Sequence, residues 1–272
     1  MQAPLIVDGV RNCSSRDSVA LFGLPLSRAK SLEHAFDLVR ELFTAKPARA
    51  GLVTFANPLA VRIAAGDAGY RNNLGRMDFV FCDGIALAVA ARRLGRFPMG
   101  RISFDSTSLA PKLFEFATAQ GYTIALVGGR PGVAETAARQ LAAEYPGISI
   151  IAALDGYRPQ RELVGNVSLL TPQIVICGMG APRQEEFLVA LADAGWKGVG
   201  FTCGGYFDHL GQGFQFYPAL LDRLNLRWLY RIAREPRRIG YRALIEYGPF
   251  WLALAQGLLG RGRPNGRPQR SV

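Results

Sequence analysis

Cysteine is scarce in this chain. Cys13, Cys82, Cys177 and Cys203 are widely spaced, and no two of them form a CxxC pair. That excludes a disulfide framework and a cysteine ribbon for zinc, and it fits a reducing compartment. Histidine is scarcer: His34 and His209 stand in no metal-ligand spacing with cysteines or acids. With no DxD motif in a strand setting either, the sequence makes no case for a bound metal or another cofactor. No apolar run reaches the ~18–20 residues that a spanning helix requires. The nearest approach, FWLALAQGLLG from Phe250 to Gly260, is too short. The opening MQAPLIVDGVRNCSS lacks a basic n-region and a long apolar h-region, so no secretory signal is expected. There is no GxxxxGK(S/T) loop and no strict GxGxxG.

What is present is enough apolar material for a large core. Hydrophobic residues make up 49% of the 272 and charged residues 19%, which argues against global disorder. The net charge is +11 and the pI about 10.0, a balance that calls for an anionic partner. The excess is local. From Asp222 to the end there are eleven arginines, no lysine and three acids, a net +8. Arginine grips carboxylates and phosphates with two parallel bonds, whereas lysine acts as a point charge.

Along the chain one unit recurs: an apolar run, a turn with Gly or Pro, then a helical pattern. GLVTFANPLAVRIAAG turns at Asn57-Pro58, and MDFVFCDGIALAVAARRLG turns at Asp83-Gly84. YTIALVGGRPGVAETAARQLAAEY turns at Gly128-Gly129 and is followed by the strand ISIIAAL. QIVICGMGAPRQEEFLVALADAG bends at a glycine loop, and GVGFTCGGYFDHLGQ closes the series with a strand and a turn. Apolar strands alternating with amphipathic helices predict an α/β fold: a Rossmann-like parallel sheet with helices on both faces. An Arg-rich helical appendage follows it. The expected divisions are a loose segment at 1–18, the core at 19–221, a basic membrane-docking appendage at 222–260 and a disordered tail at 261–272.

Ligands bind such sheets beyond the carboxyl ends of the strands, and this directs attention to particular residues. Asp83 closes the run FVFC. It is either a helix-capping turn residue or a half-buried general base. Gly128 and Gly129 precede a helix and serve either a packing turn or the approach of a phosphate. Gly178 and Gly180 bracket a bend before Pro182, Arg183, Gln184, Glu185 and Glu186. The two glutamates suit the positive end of a helix, while the Gln184 amide can donate and accept toward a sugar or base edge. His34 belongs on a surface helix, and His209 in a turn. In LRWLYRIAREPRRIGYRALIEY, Arg227, Arg231, Arg234 and Arg238 would share one helical face, beside Trp228 and Tyr230, if a helix continues across Pro236. With Phe250 and Trp251 these form an interface-type set, with Trp228, Phe250 and Trp251 expected to insert partly into a membrane surface.

These residues, in this order, resemble the WecG/TagA/CpsF glycosyltransferases from about residue 19 to 247. The likeness rests on Asn57-Pro58, Cys82-Asp83-Gly84, Arg93-Leu94-Gly95, Arg101, Val127-Gly128-Gly129, GMGAPRQE at 178–185, Phe207-Asp208 and WLYR…EPRR at 228–238. The resemblance implies an inverting transfer of a hexose or N-acetylhexosamine, of the N-acetylmannosamine or glucose type, from a UDP-sugar to a polyprenyl-diphosphate-linked sugar. It implies a protein peripheral on the cytoplasmic face of the membrane, working in cell-surface polysaccharide synthesis. Asp83 would be the base, with Arg101 and Gln184 also in the catalytic set. Thr54, Asn57, Gly84, Gly128, Gly129, Gly178, Gly180 and Asp208 would surround the donor. Arg231, Arg238 and Arg242 would hold the acceptor diphosphate. The implied partners are the donor, the lipid-linked acceptor and an anionic membrane surface, with a homo-oligomer left open and nucleic acid not among them. In three places the chain departs from the family pattern. The family threonine falls on Phe55, a family glycine is missing around Ser103-Phe104, and an expected Arg-Ala-Pro reads Phe216-Tyr217-Pro218.

Two other classes compete. A nicotinamide-dependent oxidoreductase would use Asp155, after ISIIAAL, on the ribose, but no Tyr-Lys or His-acid pair follows for hydride chemistry. A nucleic-acid-binding protein would fit the pI, but arginines confined to one appendage suit a local anion site better than a phosphate-tracking groove.

Overall fold

A computed structural model describes residues 18–44, 49–95, 97–211 and 246–259. It opens on a small antiparallel hairpin of β1 (Ser18–Leu21) and β2 (Leu24–Ser27). The remaining strands are β3 (Gly51–Ala56), β4 (Phe79–Cys82), β5 (Thr123–Gly128), β6 (Ser149–Leu154), β7 (Ile174–Gly178) and β8 (Val199–Thr202). They form one sheet in the order β4-β3-β8-β7-β5-β6, with every pair parallel. The strands are apolar because both faces are covered. All five residues of β7 are buried, as a sheet packed on two sides requires. The expected α/β architecture is therefore the observed one.

Two cores flank the sheet, and alternation along the strands assigns side chains to them. Leu52 and Ala56 of β3 join α2 (Pro58–Gly66), α3 (Ala68–Gly75), α4 (Ile85–Gly95), α7 (Gln160–Leu170) and α8 (Arg183–Asp193) on one face. Val53 and Phe55 join α1 (Leu32–Thr44), α5 (Leu109–Gln120), α6 (Val133–Glu144) and α9 (Tyr206–Leu210) on the other. The units seen in the sequence fall where expected: β3 leads into α2, β4 into α4, β5 into α6 and β7 into α8. The turn after β8 is a short helix, α9. The hairpin and the helices α5 and α7 carry no comparable signal.

The last described element, α10 (Gly248–Leu259), packs on α2 and α4. Its Phe250 is fully buried and meets the ring of Phe22 edge-on at 5.6 Å. Phe22 and Gly23 both have positive φ, 54° and 74°, the backbone of a tight hairpin turn that asparagine and glycine usually occupy. A phenylalanine held there costs about 1–2 kcal/mol, which the ring contact with α10 offsets. Phe250 therefore does not insert into a membrane as the sequence reading expects. The large apolar residues that α10 turns outward are Trp251, Leu252 and Leu258. Among the described residues no helix is long and apolar enough to cross a membrane. Arg231, Arg238 and Arg242, with the tail from 261, lie outside the described residues, as does nearly all of the segment expected to be loose at 1–18.

Candidate active site

The carboxyl ends of the sheet strands collect most of the expected site residues along one edge, about 19 Å from β4 to β5 at four strand spacings. After β5 the chain turns toward β6; after β7 it turns the other way, toward β8. Such a reversal is where open α/β sheets usually leave a crevice. Here the crevice is laced with backbone. Gly129 N–H donates to Gly178 O at 3.1 Å, and Gly156 N–H donates to Gly129 O at 2.9 Å. Arg183 Nη2 then donates to Gly156 O at 2.7 Å. A Cβ on Gly128 would stand 2.4 Å from Gly178 O, and one on Gly178 2.9 Å from Gly204 O. A Cβ on Gly129 would strike the Val133 side chain at 2.6 Å. These three glycines let protein approach protein. Gly84 and Gly180 differ: both have positive φ, and a Cβ on either meets nothing within 4 Å. They are the open turns of the edge.

The chain brings Asp83, Asn57 and Arg101 to the β3–β4 corner through backbone bonds. Asp83 N–H donates to Ala56 O at 2.7 Å, which sets the acid beside the end of β3. Its side chain is half-buried. Asn57 caps α2: its Oδ1 accepts from Leu59 N–H, and Pro58 takes the first helical position. This is the expected chemistry of a helix start. The Asn57 side-chain bond of the cap uses only Oδ1, which leaves the amide nitrogen out of it. Ile102 N–H donates to Cys82 O at 2.8 Å, which threads Arg101 past the same strand end. Arg101 Nη1 donates to Ser103 Oγ at 3.3 Å. The loop beyond is knitted by Asp105 to Thr107 and by Ser106 Oγ to Tyr206 OH, so it reaches across to α9. Asp208, in the first turn of α9, is exposed.

Thr54 and Gln184 are placed differently. Both are buried, at 1% and 5% exposure, and both belong to a polar chain beneath the edge. Thr54 Oγ1 donates to Glu185 Oε1 and so accepts from Thr202 Oγ1, each at 2.8 Å. Gln184 Nε2 donates to the same Oε1 at 3.0 Å, and Gln184 Oε1 accepts from Gly204 N–H at 3.1 Å. Glu185 Oε2 is enclosed and has no hydrogen-bond partner among the described residues. Burial pushes the Glu185 carboxyl up to about 7, while the bonds from Gln184 and Thr54 act against the rise.

A raised carboxyl means that the folded chain keeps a proton that the unfolded chain gives up from about 4.5 upward. Its contribution to stability is whole below that value, falls as pH climbs to about 7 and is flat above it, a loss of about 3 kcal/mol. Glu185→Gln should remove that slope. Urea unfolding of both proteins at roughly pH 5 and pH 8 checks it, and parallel stability curves would refute it.

Comparison with known proteins meets this geometry from another direction. Residues 19–264 match the model of the "Glycosyl transferase WecG/TagA/CpsF family". The chain belongs to this family. The glycosyltransferase is similar, at 30% identity over 207 residues, to the "UDP-Gal:alpha-D-GlcNAc-diphosphoundecaprenol beta-1,4-galactosyltransferase" of Shigella boydii. That match covers 74% of this chain and 84% of the relative.

Some features of the glycosyltransferase had no signal in the sequence. Phe55 and Phe104, at two of the departures from the family pattern, touch each other at 5.8 Å. They lie in one aromatic cluster with Phe81, Phe201 and Tyr206. Beyond β6, Tyr157 is 65% exposed, with the Arg183 guanidinium 5.8 Å from its ring centre. This exposed ring was missed because Tyr157 sits in an otherwise polar stretch. Asp155, the ribose partner on the nicotinamide reading, is already committed: Oδ1 accepts from Tyr157 N–H and Oδ2 from Arg158 Nε. Among the described residues no three His, Cys, Asp or Glu converge to hold a metal.

Proposed function

We propose that this glycosyltransferase moves a hexose from a UDP-sugar to a polyprenyl-diphosphate-linked sugar, inverting the anomeric centre, with Asp83 as general base. The observation that carries the reading is the β3–β4 corner, where the backbone bonds of Asp83 to Ala56 and of Ile102 to Cys82 bring an acid, an asparagine and an arginine to the same two strand ends. The printed activity of the Shigella relative supplies the substrate classes. A hexose of the galactose or glucose kind is favoured over N-acetylmannosamine, because the relative's donor is UDP-Gal and because Phe55 and Phe104 depart from the family pattern.

In the transfer, the Asp83 carboxylate takes the proton of the acceptor hydroxyl. The hydroxyl oxygen forms a bond to the anomeric carbon as the bond from that carbon to the donor phosphate breaks, and UDP leaves with the electron pair. The Arg101 guanidinium balances the charge on the departing diphosphate, and the neutral Asn57 amide donates a hydrogen bond to it. The open turns at Gly84 and Gly180 let the donor lie over the strand tips. Arg231, Arg238 and Arg242 hold the acceptor diphosphate with paired bonds. A panel of UDP-sugars with a short-chain polyprenyl-diphosphate sugar, read by mass spectrometry, tests the reading. A product bearing one hexose supports it, and no product from any UDP-sugar refutes it.

The protein attaches peripherally to an anionic membrane, with the arginines at head-group level and α10 against the apolar boundary. Trp251→Ser with Leu258→Ser should lower binding to anionic vesicles at least about 30-fold, since each side chain contributes on the order of 1–2 kcal/mol when buried in lipid. Co-sedimentation at low and high salt measures this. Unchanged binding by the double variant would remove α10 from the attachment.

A further inference from the structure

We infer that Glu185 is a positioning residue for the transfer site, aiming the Gln184 carboxamide so that the Gly204 turn and the ends of β3 and β8 keep one fixed spacing. What the site does rests on the transferase reading above; how it is held rests on the direction of each hydrogen bond. Gly204 N–H can only donate, so the Gln184 atom it meets is the oxygen. Nε2 then faces Glu185 Oε1, which must accept. The Thr54 proton also goes to that oxygen, so Thr202 donates to Thr54. Every bond in the chain runs toward Glu185, and the partners it joins are 131 and 148 residues apart.

The carboxyl is a poor choice for packing alone. Oε2 is enclosed without a partner among the described residues, and an unpaired buried carboxyl oxygen lowers stability. Methionine would fill the same length of core without that penalty. Orientation of Gln184 accounts for the acid where packing does not. The part so held is bare backbone: Gly204 has φ 55°, and a Cβ there would meet nothing within 4 Å. A ligand lying over the edge meets this turn directly.

The test uses the full-length protein with Glu185→Met, Glu185→Gln and Gln184→Met. Removing the acceptor with Glu185→Met should speed hydrogen exchange at Gly204 N–H at least about tenfold. It should also lower turnover with the UDP-sugar about 10- to 100-fold, with a smaller change in KM, and leave the melting temperature unchanged or higher. Glu185→Gln retains a carbonyl acceptor and should restore most of both readouts. Because the acid acts through Gln184, the double variant Gln184→Met/Glu185→Met should turn over no more slowly than Gln184→Met alone. Wild-type exchange at Gly204 in Glu185→Met, or losses that multiply in the double variant, would overturn the inference. Should Glu185→Met fail to fold, Thr54→Val, which removes one donor at constant volume, should show the same faster exchange, and its absence would count equally against it. Exchange at Gly204 is independent of activity, so a wild type that transfers nothing would sink the transferase reading and still leave the positioning decided.

Discussion

Asp83→Asn should abolish transfer almost entirely while leaving the fold and UDP binding in place. A sugar hydroxyl is a poor nucleophile at neutral pH, and a positioned base typically contributes ~10²–10⁴-fold. Asparagine matches aspartate in size and can still cap the turn before α4, but it cannot take a proton. The backbone bond that sets position 83, its N–H to Ala56 O at 2.7 Å, does not involve the side chain. A fall in turnover of at least about 100-fold is therefore expected, with the melting temperature and UDP affinity by calorimetry close to wild type. Near-normal turnover would return Asp83 to the helix-capping role that an Asp-Gly pair also fits.

The second large effect separates two kinds of glycine. Gly128→Ala should destabilise the fold on the order of 4 kcal/mol, because φ is +148° and the new Cβ would stand 2.4 Å from the backbone of Gly178. β5 and β7 must part for it to fit, and the melting temperature should fall by about 10 °C. Gly180→Ala should cost only about 1 kcal/mol for its positive φ, since its Cβ meets no protein atom within 4 Å. A weaker UDP affinity in Gly180→Ala would thus report the ligand and not the scaffold. Gly129 cannot serve as that probe: any larger side chain there collides with Val133 first. A stable Gly128→Ala, by thermal unfolding, would show that the strands are not in close contact.

The strand–turn–helix units were legible because each strand is apolar throughout and stops at a residue suited to a turn or a helix cap. Asn57-Pro58 is the plainest case, with the cap and the first-turn proline both as expected. Strand order was not legible. Nothing local in GVGFT says that β8 inserts between β3 and β7. The same holds for Glu185, which reads as one of two acids in a first helical turn. Glu186 beside it is only half-buried, whereas Glu185 is 1% exposed. Their difference depends on Thr54 and Thr202, which are brought in by distant strands. Phe250 shows the limit for apolar helices: when nearly every side chain is hydrophobic, spacing does not say which one turns inward. Glycines present a similar ambiguity. Gly128 and Gly180 look alike in sequence, and the difference is what stands next to each.

The contact between Phe22 and Phe250 joins the first described hairpin to the last described helix. During synthesis the hairpin leaves the ribosome about 230 residues before its cover does, roughly 10–45 s at ordinary translation rates. For that interval a strained turn and its apolar surroundings stand open, in reach of chaperones and proteases. A message that stalls or ends before Phe250 would yield a chain with this patch uncovered. The cell thus has a physical mark by which to tell an unfinished copy from a finished one.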